Sequence, residues 1–258
     1  MPATDLQVFN TANWTLDHSI LVQLQEPGEA YEAPCPFYLI THPEGNIIVD
    51  TGVSHEMASN PDSYGQYGAP HMVEMAQAID LSAGDTPAEQ LSDAGVSVDE
   101  IEYVVMTHLH TDHAGNMTDF LDAEFLVSRR ELRYAWWPEP AQQLFYLQGD
   151  LSFLQKPSRT VTTVVGEYDV FGDGSVVVLS TPGHTPGHQS VQVDLGDETV
   201  ILGGDVAQLR SGYKSGFMPS FNWSLDESQK SVKKVKSLAR EHDATVRLTH
   251  EREDLMKM

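Results

Sequence analysis

Thr107-His-Leu-His-Thr-Asp-His-Ala-Gly115 packs three histidines and a carboxylate into the six residues 108–113. Neutral imidazoles beside a carboxylate suit a borderline divalent ion such as Zn²⁺. In an extended segment residues 108, 110 and 112 share one face, because side chains alternate along a strand. Asp112 and His113 are neighbours and so point to different places. The segment can therefore serve two adjacent ions, whereas a single tetrahedral site would not need so many donors here. Ile101–Met106 (IEYVVM) just before it reads as a buried strand. The donors thus sit at the carboxyl end of a strand, where α/β folds usually place their sites.

Three more elements repeat that arrangement. Thr181-Pro-Gly-His-Thr-Pro-Gly-His-Gln-Ser190 sets His184 in a Gly/Pro-braced loop after a predicted strand at Val176–Leu179. Leu202-Gly-Gly-Asp205 ends another strand with a carboxylate, and Ala244–Leu248 delivers His250. Each residue alone reads as structural. Four strand-end elements in this order supply two complete coordination shells.

Outward from these loops the chain alternates strands and helices. Strand-like runs open it at Leu6–Phe9, Ile20–Leu24, Phe37–Thr41 and Asn46–Asp50, with Pro43-Glu-Gly as a hairpin turn between the last two. Pro87 to Ala94 predicts a helix stopping at Gly95. A short helix is expected from about Gly115, then a strand at Glu124–Val127 and a helix over Arg129–Trp136. Further strands are expected near 161–165, 175–180, 189–194 and 199–202, with an amphipathic helix over about 225–241. Residues 52–82 show weak periodicity and many Gly, Pro, Ser, Tyr and Met residues; a connection that long is usually functional or disordered. The pattern predicts an α/β fold in one domain spanning residues 1–258, two sheets packed together with helices outside.

The chain carries 15 basic and 38 acidic residues, a formal net charge of −23. Phosphate backbones and anionic membranes should be repelled, which excludes nucleic-acid and membrane partners. The acidic residues are dispersed, storing self-repulsion that salt would screen, and this points to a salt-adapted cytoplasm. Lys230 to Lys236 falls at helical spacing and reads as a solvated face. The single cysteine, Cys35, lies in an apolar run and reads as buried; with no secretory segment, the expected setting is reducing and cytoplasmic. No run approaches the ~18 apolar residues of a membrane span.

With Ile48-Val-Asp-Thr-Gly52 preceding the first loop, the four metal-bearing elements resemble the metallo-β-lactamase superfamily over essentially the whole chain. That resemblance implies an αββα sandwich of two mixed β-sheets flanked by helices, with the site along one edge. It implies that His108, His110 and His184 hold one metal, that Asp112, His113 and His250 hold the other, and that Asp205 bridges them. Asp50 would orient ligand histidines through their free N–H groups, and His188 falls outside the ligand pattern in a supporting role. Zinc is the metal most members use; the donors also tolerate iron, manganese or cobalt.

Within the superfamily the sequence is most similar to the N-acyl-homoserine lactone lactonases, the quorum-quenching hydrolases. The matching stretches include Leu16-Asp-His-Ser, Cys35-Pro-Phe-Tyr-Leu, Phe221-Asn-Trp and the two histidine loops. The similarity implies opening of a lactone ring by a hydroxide bridging the two metals, with Asp112 passing a proton to the leaving oxygen. The chain departs from the pattern in one place. A tyrosine commonly stands three residues beyond the bridging aspartate; here that position is Gln208, and Tyr213 follows in the next loop. Either is a candidate donor to the lactone carbonyl. Met57, Tyr64, Tyr67, Met72 and Met75 are candidates for an apolar wall around an acyl tail, whereas Tyr134-Ala-Trp-Trp and Leu144-Phe-Tyr read more readily as core packing or a dimer interface. The competing readings are a thioesterase of the hydroxyacylglutathione type and an iron-dependent redox protein of the same fold; the chain is expected to act as a monomer or homodimer.

Overall fold

The computed structural model describes residues 1–61 and 74–255. Tyr64, Tyr67 and Met72 lie outside the described residues. Among the described residues twelve strands form two mixed sheets: β1 (Asp5–Asp17), β2 (Ala30–Thr41), β3 (Asn46–Val49), β4 (Ile79–Asp80), β5 (Ile101–Val105), β6 (Glu124–Ser128), β7 (Thr160–Val164), β8 (Tyr168–Asp169), β9 (Val176–Ser180), β10 (Gln189–Asp194), β11 (Thr199–Leu202) and β12 (Thr245–Arg247). The first sheet has the order β4-β1-β2-β3-β5-β6-β7, and the second β12-β11-β10-β9-β8. Antiparallel hairpins build β1, β2 and β3, and parallel crossovers then add β5, β6 and β7.

Alternation along the strands explains why the sheets stack. Tyr38 and Ile40, Ile47 and Val49, Val105 and Leu126 point to one face, where they meet Val176, Val178, Val191, Val193, Val200 and Leu202 of the second sheet. The residues between them, Phe37, Leu39, Ile48, Val104, Phe125 and Val127, point the other way and pack under Leu91, Ala135, Tyr146 and Phe153. On the far side Leu179, Ile201 and Val246 receive Val232 and Val235 from the helix Leu225–Glu241. Both faces of the central strands are therefore covered, which is why their sequence runs are almost continuously apolar. The expected sandwich of two mixed sheets between helices is the observed fold.

Two local expectations are corrected. Ile20–Leu24 is not a strand: Asp17 caps the short helix His18–Leu21 by accepting the Ser19 N–H at 2.9 Å, and the chain then turns with Leu24 and Glu26 at φ 64° and 47°. An aspartate side chain that satisfies backbone donors starts a helix more readily than it continues a strand. The short helix expected from about Gly115 is present as two pieces, an α-helical turn over Thr111–Ala114 and a 3-10 turn over Met117–Asp119, with Gly115 between them. A Cβ on Gly115 would lie 2.1 Å from the Ser54 nitrogen, so the glycine lets the loop after β3 pack against the histidine segment.

Candidate metal centre and active-site cavity

The loops after β5, β9, β11 and β12 meet at one edge of the sandwich. They bring together His108, His110 and His184; His108, His113 and Asp205; and Asp112, His113 and His250, each trio with donor atoms within 4.8 Å of one another. Asp205 is the hub. Its carboxylate oxygens lie 3.5 Å from His113 Nε2, 3.4 Å from His184 Nε2 and 3.3 Å from His250 Nε2. Asp112 Oδ2 lies 3.5 Å from His250 Nε2 and 3.8 Å from His113 Nε2. His110 Nδ1 and His184 Nε2 approach to 3.1 Å.

The outward nitrogens are fixed by other partners, so the inward ones are free to coordinate. Asp50 accepts the Thr107 N–H and hydroxyl at 2.7 Å each and the His113 Nδ1–H at 2.7 Å. The Thr107 hydroxyl in turn accepts the His108 Nδ1–H at 3.1 Å. His184 Nδ1 donates to Asn222 Oδ1 at 3.1 Å, and His250 Nδ1 donates to the Pro34 carbonyl at 2.8 Å. Among the described residues, Nε2 of His108, His113 and His250 and Oδ1 of Asp205 are left buried without a hydrogen-bond partner, while His110 turns Nδ1 towards His184 and leaves its Nε2 unbonded on the other side of the ring. Buried polar atoms are normally satisfied, so a convergent set of orphans is the signature of a metal site. Imidazole nitrogens and carboxylate oxygens in this ratio fit a pair of divalent ions.

The electrostatics divide the histidines. Burial holds His108 and His110 well below the ordinary imidazole range, and neighbouring histidines add to it. Burial opposes charge on His113 too, yet Asp50, Asp112 and Asp205 draw its pKa up to about 10. His250 is likewise opposed by burial and raised by Asp205 and Asp112. Carboxylates that stabilise an imidazolium here would stabilise a divalent ion in its place. His188 is no donor to the cluster: its Nδ1 bonds the Thr181 carbonyl at 3.0 Å, and its Nε2 accepts the Asp205 N–H at 2.9 Å. Burial, followed by His184, depresses its pKa to about 3, keeping it the neutral acceptor the Asp205 backbone requires.

Above the cluster opens a cavity of about 260 Å³. Its floor is His110, Asp112, Asp205, Gln208 and His250, and its walls are Trp14, Leu16, Ile20, Met75, Leu144, Phe145 and Phe221. A family model for the metallo-beta-lactamase superfamily matches residues 30–241. The chain belongs to the metallo-beta-lactamase superfamily. Among its superfamily relatives, it is 34% identical to the N-acyl homoserine lactonase AttM of Agrobacterium fabrum over 256 residues, 96% of this chain and 94% of that protein. It is 26% identical to the N-acyl homoserine lactonase AiiA of Bacillus thuringiensis subsp. kurstaki over 243 residues, 92% of this chain and 88% of the relative. Two solved superfamily structures share its fold. One is an N-acyl homoserine lactone hydrolase with N-hexanoyl-L-homoserine at its catalytic metal centre (TM-score 0.82, 24% identity, covering 100% of this chain and 97% of that one). The other is a single-residue mutant of B. thuringiensis AiiA with N-decanoyl-L-homoserine bound at its active site (TM-score 0.83, 24% identity, 100% and 97% covered).

Within this superfamily scaffold the remaining candidates separate. Gln208 lines the cavity and donates from Nε2 to Asp205 Oδ2 at 2.9 Å, with Oε1 buried and unbonded among the described residues. Tyr213 is not brought to the cavity lining. It packs with Leu179, Val232 and Leu248, and the Lys236 ammonium sits 4.8 Å from its ring centre. Met75 lines the cavity, while Met57 is buried in the cluster beneath Trp14 and Val53. Leu144 and Phe145, read from sequence as core, are wall residues; Trp14, Leu16 and Ile20 carried no sequence signal for that role. Cys35 is buried, as expected.

Proposed function

We propose that this chain hydrolyses the lactone ring of N-acyl-homoserine lactones or related lactones, using two divalent ions held by His108, His110, Asp112, His113, His184, Asp205 and His250. The observation that carries the proposal is the placement of those donors on the floor of an apolar cavity. Zinc is the metal proposed first. Ions bound there would supply a water of lowered pKa and a Lewis acid for the ester carbonyl.

The chain's own residues provide the rest. His188 holds the Asp205 backbone, and Gln208 donates one amide hydrogen to the Asp205 carboxylate. The second amide hydrogen of Gln208 is the proposed donor to the lactone carbonyl, a role for which Tyr213 is poorly placed. Asp112 lines the cavity beside His250 and is the proposed carrier of the proton to the leaving oxygen. Trp14, Ile20, Met75 and Phe221 would cover an acyl tail and exclude water. Burial of each methylene contributes roughly 0.8 kcal/mol.

Among the described residues that line the cavity there is no Lys or Arg, which disfavours a thioesterase that must recognise the carboxylates of a glutathione moiety. No helix among the described residues is long and apolar enough to cross a membrane. The charge of −23 supports an acidic, salt-adapted, cytoplasmic protein that avoids nucleic acid. The deciding experiment follows proton release from a panel of lactones, thioesters and β-lactams. Lactone turnover that disappears on chelation and returns with Zn²⁺ is expected. Absence of lactone turnover under every metal and salt condition would overturn the proposal, and metal analysis with an optical spectrum separates zinc from iron.

A further inference from the structure

Glu131, on the helix Arg129–Ala135, is a fully buried carboxylate outside the donor cluster. Four donors surround it. The Leu109 N–H (3.1 Å) and the Tyr146 hydroxyl (2.7 Å) bond Oε1, while the Thr185 hydroxyl (2.6 Å) and the Gly187 N–H (3.1 Å) bond Oε2. Leu109 stands between His108 and His110, and Thr185 follows His184. One oxygen therefore grips the loop from the first sheet and the other grips the loop from the second.

We propose that Glu131 is a positioning residue that clamps His110 against His184 and so sets the affinity of the His108, His110, His184 metal site, leaving the Asp112, His113, His250 site largely unaffected. This rests on the metal reading above. Three further observations point the same way. His110 and His184 meet at 3.1 Å, the contact a clamp on their two loops would fix. The Tyr146 ring that bonds Glu131 also stands edge-on to His110, with ring centres 4.7 Å apart. A Cβ at Gly187 would fall 2.2 Å from the Glu131 nitrogen, so only glycine lets that loop come close enough to donate. Burial pushes the Glu131 pKa up, and the four donors work against it. Four donors and no acceptor fit the ionised form. By contrast, His113 is held by Asp50 and His250 by the Pro34 carbonyl, and the four hydrogen bonds of Glu131 go to none of Asp112, His113 and His250.

Glu131→Gln replaces one oxygen with an NH₂ group. The hydroxyls of Tyr146 and Thr185 can rotate to accept from it, but the backbone N–H of Leu109 or Gly187 cannot. The test is Zn²⁺ and Co²⁺ binding to the full chain by chelator competition, with the Co²⁺ absorption spectrum as a second readout. The parent should bind two equivalents. In Glu131→Gln one equivalent should weaken by about 10- to 100-fold while the other holds. In a His250→Ala background, which keeps the His108, His110, His184 set, the remaining equivalent should show that loss and an altered Co²⁺ spectrum. Should Glu131→Gln fail to fold, Tyr146→Phe and Thr185→Val each remove one donor and should loosen the same equivalent severalfold. A purely structural glutamate would lower the melting temperature and weaken both equivalents alike, or neither; either pattern overturns the clamp. A parent that binds no metal would instead overturn the metal reading itself.

Discussion

Asp50 offers the sharpest single perturbation, because Asp50→Asn changes its chemistry and leaves its shape. Asp50 sits at φ 59°, a left-handed conformation that asparagine tolerates as well as aspartate, so the backbone should survive the exchange. The carboxylate accepts three hydrogen bonds, from Thr107 N–H, Thr107 Oγ1–H and His113 Nδ1–H. An amide keeps one oxygen and turns its other end into a donor. With the oxygen facing the Thr107 N–H, the NH₂ opposes both the Thr107 hydroxyl and His113 Nδ1–H. Two bonds to a charged acceptor are lost, each worth roughly 1.5–3 kcal/mol. The hydroxyl can turn and recover part of its share, so about 2–4 kcal/mol of stability should go. The His113 ring loses its anchor and the carboxylate that raises its basicity, which corresponds to a metal affinity about 10- to 100-fold weaker. Denaturant unfolding gives the first quantity and chelator competition the second. A variant that loses stability but binds both metal equivalents as tightly as the parent would refute the reasoning.

Other outcomes are accessible with the same materials. Phe221→Ala and Ile20→Ala should lower kcat/KM for a decanoyl lactone several-fold more than for a butanoyl lactone; equal losses for both chain lengths would remove these residues from an acyl-binding wall. Replacing Gln208 with Leu should reduce kcat by roughly 10-fold or more if its amide reaches the lactone carbonyl, while an unchanged kcat/KM would exclude that role. His188 has a folded-state pKa of about 3 against an ordinary 6.5, so the unfolded chain takes up its proton first as pH falls. Its contribution to stability is whole above pH 6.5 and is lost on descending towards pH 3, at about 1.4 kcal/mol per unit. Metal-stripped parent should therefore lose about 2 kcal/mol more than His188→Gln between pH 7 and pH 5 in denaturant titrations; parallel losses would contradict this. With a net charge of −23, the unfolding midpoint should rise with KCl, and a flat or falling response would argue against salt adaptation.

The fold was legible where one period dominated. The apolar run Phe37 through Ile40 and the turn at Pro43-Glu-Gly specify a hairpin, and the strand at Ile101 announces the loop that follows it. The donor set was legible because metal coordination demands particular residue types at strand ends, a constraint visible without coordinates. Ile20 was misread because a five-residue run with four apolar residues is compatible with strand or helix, and the cap from Asp17 decided it. Glu131 left no trace: a buried carboxylate on a short charged helix, in the run Arg129-Arg-Glu-Leu-Arg, looks like any solvated one until the loops folded over it are placed. The walls of the cavity were hidden for a related reason. Trp14 and Leu16 are unremarkable strand residues, and only the tertiary fold brings them to the same cavity as Phe221 and the donors.

Asp205 joins parts of the chain that are far apart in the order of synthesis. His108 through His113 follow a strand of the first sheet, whereas His184, Asp205 and His250 follow strands of the second. A folding intermediate with only the first sheet formed would present half of each ligand set and bind ions weakly. Neither ion's full ligand set exists until the two sheets have closed, and the Asp112, His113, His250 set also needs β12 docked beside β11. Metal uptake would then come late in folding, and its rate in a refolding experiment would time the closure of the sandwich.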